Sequence, residues 1–159
     1  MVDRQLLGDD DLHASAVVAN CSMNRERQLA GVNSYTRELG SSPVCAWTPS
    51  RSFDLITCVH GLHYVGDKLA ALARAASWLT PRGLLVADLD LAGISIAGQP
   101  AGRRLSRALR DAGFSYDFRR HRISRTGKLD AALPYRYLGA DDRAGPNYTG
   151  QPAVTSHYE

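Results

Sequence analysis

Ser52–Asp90 reads SFDLITCVHGLHYVGDKLAALARAASWLTPRGLLVADLD, and this stretch decides the fold. Phe53 to Val59 is a short apolar run rich in β-branched residues, with Asp54 near its start, as a strand buried on both faces would be. It ends where the chain turns polar, at His60-Gly61-Leu62-His63-Tyr64. Asp67 stands at an N-cap position, and Leu69, Leu72, Ala73, Ala76 and Leu79 follow at spacings of three and four, which gives one apolar helix face. Thr80-Pro81 predicts the end of that helix, because proline disfavours the α conformation of the residue before it. Gly83 then turns the chain into a second hydrophobic strand, Leu84–Leu89. Two short strands joined by such a helix are expected to run parallel, leaving the mouth of the first open to a ligand.

Working outward, Leu91–Ile96 continues apolar and breaks at Gly98-Gln99-Pro100. Proline suits a first helical turn, so a helix is expected there, with Leu105, Ala108, Leu109 and Ala112 as its stripe and Gly113 as its C-cap. Tyr116–Ser124 and Leu129–Leu138 read as two strands turning at Thr126-Gly127, with Pro134 pushing the second toward an edge. From Gly139 on, turn formers dominate and predict loop. On the amino-terminal side, Leu12, Ala16 and Ala19 fall on one helical face, and Leu29, Val32 and Tyr35 on another. The expected division is a helical segment at 1–40, a junction at 41–52, a truncated α/β domain at 53–138 and a loop-rich tail at 139–159.

A chain of 159 residues with 44% hydrophobic content is sized for one domain with a core. Three scattered cysteines, Cys21, Cys45 and Cys58, argue against a disulfide framework and for a reducing compartment, and hence for the cytoplasm. The opening residues, MVDRQLLGDDDLHAS, carry acids and no long apolar run, so no secretory signal and no membrane association are expected.

The pattern FDLITCVHGLHYV, a helix closing on WLTPRG, and LLVADLD together resemble the carboxyl half of a class I S-adenosylmethionine-dependent methyltransferase. The resemblance runs from about Phe53 to Leu138. It implies a partial Rossmann-like sheet, a parallel βαβ unit followed by a helix and an antiparallel hairpin, with S-adenosylmethionine as cofactor. It implies further that Val59, His60 and Gly61 lie beside the methionyl part of the cofactor, that Tyr35 lends an aromatic wall, and that His63 and Tyr64 face the methyl acceptor. The family's glycine-rich cofactor loop has no counterpart, since no G-x-G occurs in the chain. Only GSSPVCAWTPSRS lies between Leu39 and Phe53, too little for a βαβ unit of about 30 residues. The family's first three strands are therefore expected to be missing, which puts activity in question, and Gly40–Ser52 reads as the scar of an internal deletion or misjoined frame.

Each chemistry-bearing group has competing readings. His63 could take the acceptor's proton as a general base, because an imidazole titrates near neutrality; or His60 and His63 could merely bond a turn. Methyl transfer needs chiefly an aligned nucleophile, so proximity alone could serve. Cys58, His60 and His63 form C-x-H-x-x-H, but three local ligands fall short of a structural zinc site, and no metal is expected. Tyr35 also reads as a packing residue. The run Arg103, Arg104, Arg107, Arg110, Arg119, Arg120, Arg122, Arg125 and Lys128 could track the phosphates of a nucleic acid, or form an ordinary solvated face at a net charge of only +3. Tyr135-Arg136-Tyr137 and Tyr148 could line an acceptor site or pack a hairpin. The methyl acceptor itself is undefined, and a non-catalytic remnant binding protein or nucleic acid through its arginines is the alternative. Loss of three strands would bare one sheet edge and favour self-association along it.

Overall fold

The computed structural model describes residues 49–143, 145–150 and 153–159, together with the backbone of 16–19. Its elements in chain order are β1 (Ala16–Ala19), β2 (Phe53–Cys58), α1 (Lys68–Ser77), β3 (Leu79–Asp88), β4 (Ile94–Ile96), β5 (Gln99–Pro100), α2 (Gly102–Asp111), β6 (Ser115–Asp117), β7 (Arg122–Thr126), β8 (Tyr137–Asp141) and β9 (Thr155–Tyr158). Short 3-10 turns at Gly61–Tyr64 and Leu91–Gly93 follow β2 and β3.

The central βαβ unit forms as its sequence dictates. β2 and β3 run parallel with Leu55 opposite Leu84 and Cys58 opposite Ala87. Asp67 caps α1, its Oδ1 accepting from the Ala70 amide at 3.1 Å. Leu69, Leu72 and Ala76 on α1 meet Ile56 and Leu85 in one buried cluster, which Leu105 and Leu109 of α2 and Ile123 of β7 complete. Burying each such leucine or isoleucine contributes about 1.5–3 kcal/mol. The α2 stripe is as expected, and Gly113 follows it at φ 80°, the left-handed conformation of a helix stop.

Two sheets result. The first has the order β1-β2-β3-β7-β6, parallel through β3 and antiparallel beyond. The second has the order β5-β4-β9-β8, with β4 and β9 parallel. This mixed α/β architecture is consistent with a partial Rossmann-like sheet.

Several expectations need correction. Ala16–Ala19, placed on a helical face by spacing, is a strand paired in parallel with β2, so a strand does precede β2 and its edge is not bare over these residues. Tyr35 and the rest of the expected helical segment lie outside the described residues. α1 ends at Ser77 and β3 begins at Leu79, so Thr80-Pro81 sits in the strand: the Phe53 amide bonds to the Trp78 carbonyl and pulls the chain into register early. Pro100 pairs in β5 and precedes the helix.

The hairpin turns at 118–121, between β6 and β7, rather than at Thr126-Gly127. Gly127, at φ 79°, instead bonds to the Gly83 carbonyl, and the Leu129 amide is spent on Ala76 at the end of α1. Leu129 and Leu133 are buried in the core, so most of the expected second strand packs as irregular chain. The tail is structured where turn formers predicted loop: β8 and β9 pair antiparallel, and Tyr158 is 1% exposed.

Candidate functional site

The carboxyl ends of the parallel strands coincide, with Ala19 opposite Cys58 and Cys58 opposite Ala87. Ligands of open α/β sheets bind at such an edge. Directly beyond β2 comes His60, at φ 58°, ψ −7°, a left-handed conformation that costs a non-glycine residue about 1–3 kcal/mol and concentrates at functional sites. The strain turns the chain into the 3-10 turn, where Gly61, Leu62 and His63 are buried and Tyr64 is half-buried. Val59 remains exposed at the strand end.

The His60 and His63 rings lie 5.9 Å apart. Among the described residues, neither His60 Nδ1 nor His63 Nε2, both buried, has a hydrogen-bond partner. Burial, reinforced by the neighbouring His60, lowers the His63 pKa below its usual 6.5, so its imidazole is neutral at physiological pH. A neutral, buried imidazole with an unpartnered nitrogen is equipped to accept a hydrogen bond or a proton.

The end of β3 supplies Asp88 and Asp90, both largely buried. Arg122 Nε donates to Asp88 Oδ1 at 3.4 Å, and Asp90 Oδ1 accepts from the Ala92 amide at 2.9 Å. His121, also left-handed at φ 49°, brings Nδ1 to 3.7 Å from Asp90 Oδ1. Tyr148 stacks on His121, with centroids 4.1 Å apart and planes at 9°, and stands edge-on to His63 at 5.5 Å. Burial and the two aspartates raise the Tyr148 pKa, so its phenol stays protonated.

The carboxyl-terminal segment closes one side of this group. The Val154 amide donates to the His63 carbonyl at 2.8 Å. Lys68, almost fully buried, donates all three of its ammonium hydrogens, to Val65 O at 3.0 Å, Val154 O at 2.6 Å and Ser156 Oγ at 2.9 Å. Burial still pushes its pKa down to about 8. Tyr158 donates to Asp67 Oδ1 at 3.0 Å and accepts from the Leu69 amide at 3.1 Å. A cavity of about 220 Å³ remains between these elements, bounded by His63, Lys68, Asp90, Gly93, Asn147 and Thr155.

Of the residues singled out from sequence, Val59, His60, Gly61, His63 and Tyr64 share this one strand end. Cys58, His60 and His63 do not make a metal centre: no group of three or more histidines, cysteines or carboxylates among the described residues is arranged to hold a metal ion. Sequence reasoning missed Lys68, Asp88 and Asp90 and gave His121 no place. Asp90 carried a readable signal as the polar residue closing an apolar strand; His121 had none, because only the hairpin brings it 31 positions back to Asp90. No helix among the described residues is long and apolar enough to cross a membrane.

The family model described as "Methyltransferase domain" matches residues 15–87, from before β1 to Ala87 in β3. No curated protein and no solved structure matches the chain.

Proposed function

We propose, from the match of residues 15–87 to a methyltransferase-domain family model, that the protein transfers a methyl group from S-adenosylmethionine to a nucleophilic acceptor at the carboxyl end of β2. The residues at this edge fit the methionyl end of such a donor: Val59 offers exposed apolar surface, and His60 Nδ1 is a buried polar atom with no partner among the described residues. Val59, His60 and Gly61 would hold it. When bound, the sulfonium supplies an electrophilic methyl group.

The chain's own contribution is placement and a proton sink. His63 and Tyr64 would orient the acceptor's nucleophilic atom toward that methyl group. His63 Nε2 takes up the proton the acceptor loses; its depressed pKa keeps it in the basic form at neutral pH. Alignment carries most of the acceleration and the base a further 10²–10⁴-fold. The observation that carries this reading is the buried His63, its Nε2 without a partner among the described residues, at a strand end within the span that matches the methyltransferase-domain model.

Titration calorimetry with S-adenosylmethionine and S-adenosylhomocysteine tests it. Saturable heat for both is expected. No heat at millimolar ligand would rule out donor binding and leave the non-catalytic remnant.

A further inference from the structure

Between Gly102 and Lys128 nine arginines and lysines face two aspartates. The structure separates those engaged within the fold from those turned outward. Arg125 donates to the carbonyls of Ala112, Gly127 and Lys128, Arg122 is on Asp88, and Lys128 lies 2.9 Å from Asp130. By contrast, Arg103, Arg104 and Arg110 on the exposed side of α2, and Arg119 on the β6–β7 turn, have no side-chain partner among the described residues. Arg107 approaches Asp111 only to 3.9 Å, with both side chains well exposed, a pairing worth little.

The β6–β7 turn adds a second feature. Asp117 Oδ1 accepts from the amides of Arg119 and Arg120 at 2.9 and 3.1 Å, which fixes the loop. Phe118 is 59% exposed, its ring held edge-on to Tyr116 at 4.9 Å and 89°, while Tyr116 is anchored to the Leu89 carbonyl at 2.8 Å. An ordered, solvent-facing aromatic ring next to an unpaired guanidinium is what a nucleobase stacks on. The turn ends at His121, stacked on Tyr148 beside Asp90, so the segment that carries Phe118 leads into the candidate site. The first turn of α2, with Arg103 and Arg104, starts at Ala101, whose amide bonds to the Ile94 carbonyl just beyond the 3-10 turn that follows β3. The first turn of α2 and the aromatic turn therefore both follow the carboxyl end of β3.

We propose that this surface binds single-stranded nucleic acid, its phosphates along Arg103, Arg104, Arg107 and Arg119 and a base stacked on Phe118; on the methyl-transfer reading, from which this last step follows, the bound strand is the methyl acceptor. The exposed ring is a stacking platform that a base can use and an acidic side chain cannot.

Fluorescence anisotropy of labelled mixed-sequence RNA and DNA 12-mers, without methyl donor, tests the surface independently of whether the donor binds. Four neutralised phosphates on a single strand predict a log–log salt slope of about −3, or about 50-fold weaker binding at 200 mM than at 50 mM salt. R103S/R104S/R119S should flatten the slope to about −1, and F118A should weaken binding roughly tenfold without altering it. Tighter binding of RNA than DNA would identify 2′-hydroxyl recognition, and equal binding a strand read by phosphate and base alone; either supports the site. No binding of either strand at 50 mM salt, or binding indifferent to these substitutions, overturns the proposal. So does a polyglutamate peptide competing as well as RNA while F118A has no effect, which would make an acidic protein the partner.

Discussion

Replacing Lys68 with methionine probes whether the carboxyl-terminal strand is truly docked against α1, because this docking puts an ammonium where water cannot reach it. The folded-state pKa of Lys68 is about 8, against an ordinary value of 10.5. For a cation whose pKa is lowered by folding, the unfolded chain holds the proton more tightly, so the cost of the buried charge is fully present below pH 8 and is relieved as pH climbs toward 10.5. A shift of one unit is about 1.4 kcal/mol, so between pH 7 and pH 10 wild type should gain about 2.5 kcal/mol relative to Lys68→Met. Tyr116, pushed up to about 12, and Tyr158, also raised by burial, act in the opposite direction near pH 10, but both proteins share them and the subtraction removes them. Urea unfolding followed by circular dichroism at pH 7, 8, 9 and 10 measures the difference. A gap between the two proteins that stays constant within about 0.5 kcal/mol over this range would show that Lys68 titrates as in water, and that Val154 and Ser156 are not its partners.

Tyr158→Phe strips the acceptor from the buried Leu69 amide and a donor from Asp67, and should cost about 1–3 kcal/mol; an unchanged urea midpoint would contradict the geometry. At Gly83 a Cβ would stand 2.5 Å from the Phe53 carbonyl and 3.0 Å from the Thr80 amide nitrogen, both backbone atoms that cannot swing aside. Gly83→Ala should therefore destabilise by about 1–3 kcal/mol and lower the melting temperature by several degrees, whereas an unshifted melt would mean β2 and β3 are not in the register seen here. His63→Gln should reduce methyl transfer by about 10²–10⁴-fold while leaving the calorimetric affinity for S-adenosylhomocysteine within about threefold. On the proposed reading, the wild-type rate should hold as pH falls through 6.5 and decline only below it, since burial holds the His63 pKa beneath that value; a decline centred at or above 6.5 would assign the base elsewhere.

The short-range features were legible because local physics sets them. A carboxylate three residues ahead of an amide caps α1, a stripe spaced by three and four buries one helix face, and glycine stops α2. Two apolar runs separated by a helix gave the parallel pair, and the resemblance carried by those residues agrees with the family match over 15–87. Strand identity at Ala16–Ala19 was not legible: four small apolar residues fit either period, and only the hydrogen-bonding partner, 39 positions away in register, selects the extended form. The misplaced hairpin has the same origin. Thr126-Gly127 has good turn chemistry, yet Gly83 and Ala76 claim its neighbourhood through long-range bonds, and the actual reversal at 118–121 is held by Asp117.

By itself, then, the sequence determined the βαβ unit, the strand end bearing His60 and His63, and the arginine richness of the second half, since each follows from spacing and residue type within a few turns of chain. The tertiary structure alone decided which groups meet there. His121 reaches Asp90 through a hairpin, Tyr148 and Val154 reach His63 through the tail, and Lys68 is a buried anchor because acceptors 86 and 88 residues away enclose it. Such contacts depend on how sheets stack and which amide or ammonium lacks a partner after the local elements have formed, and no window of neighbouring residues contains that information.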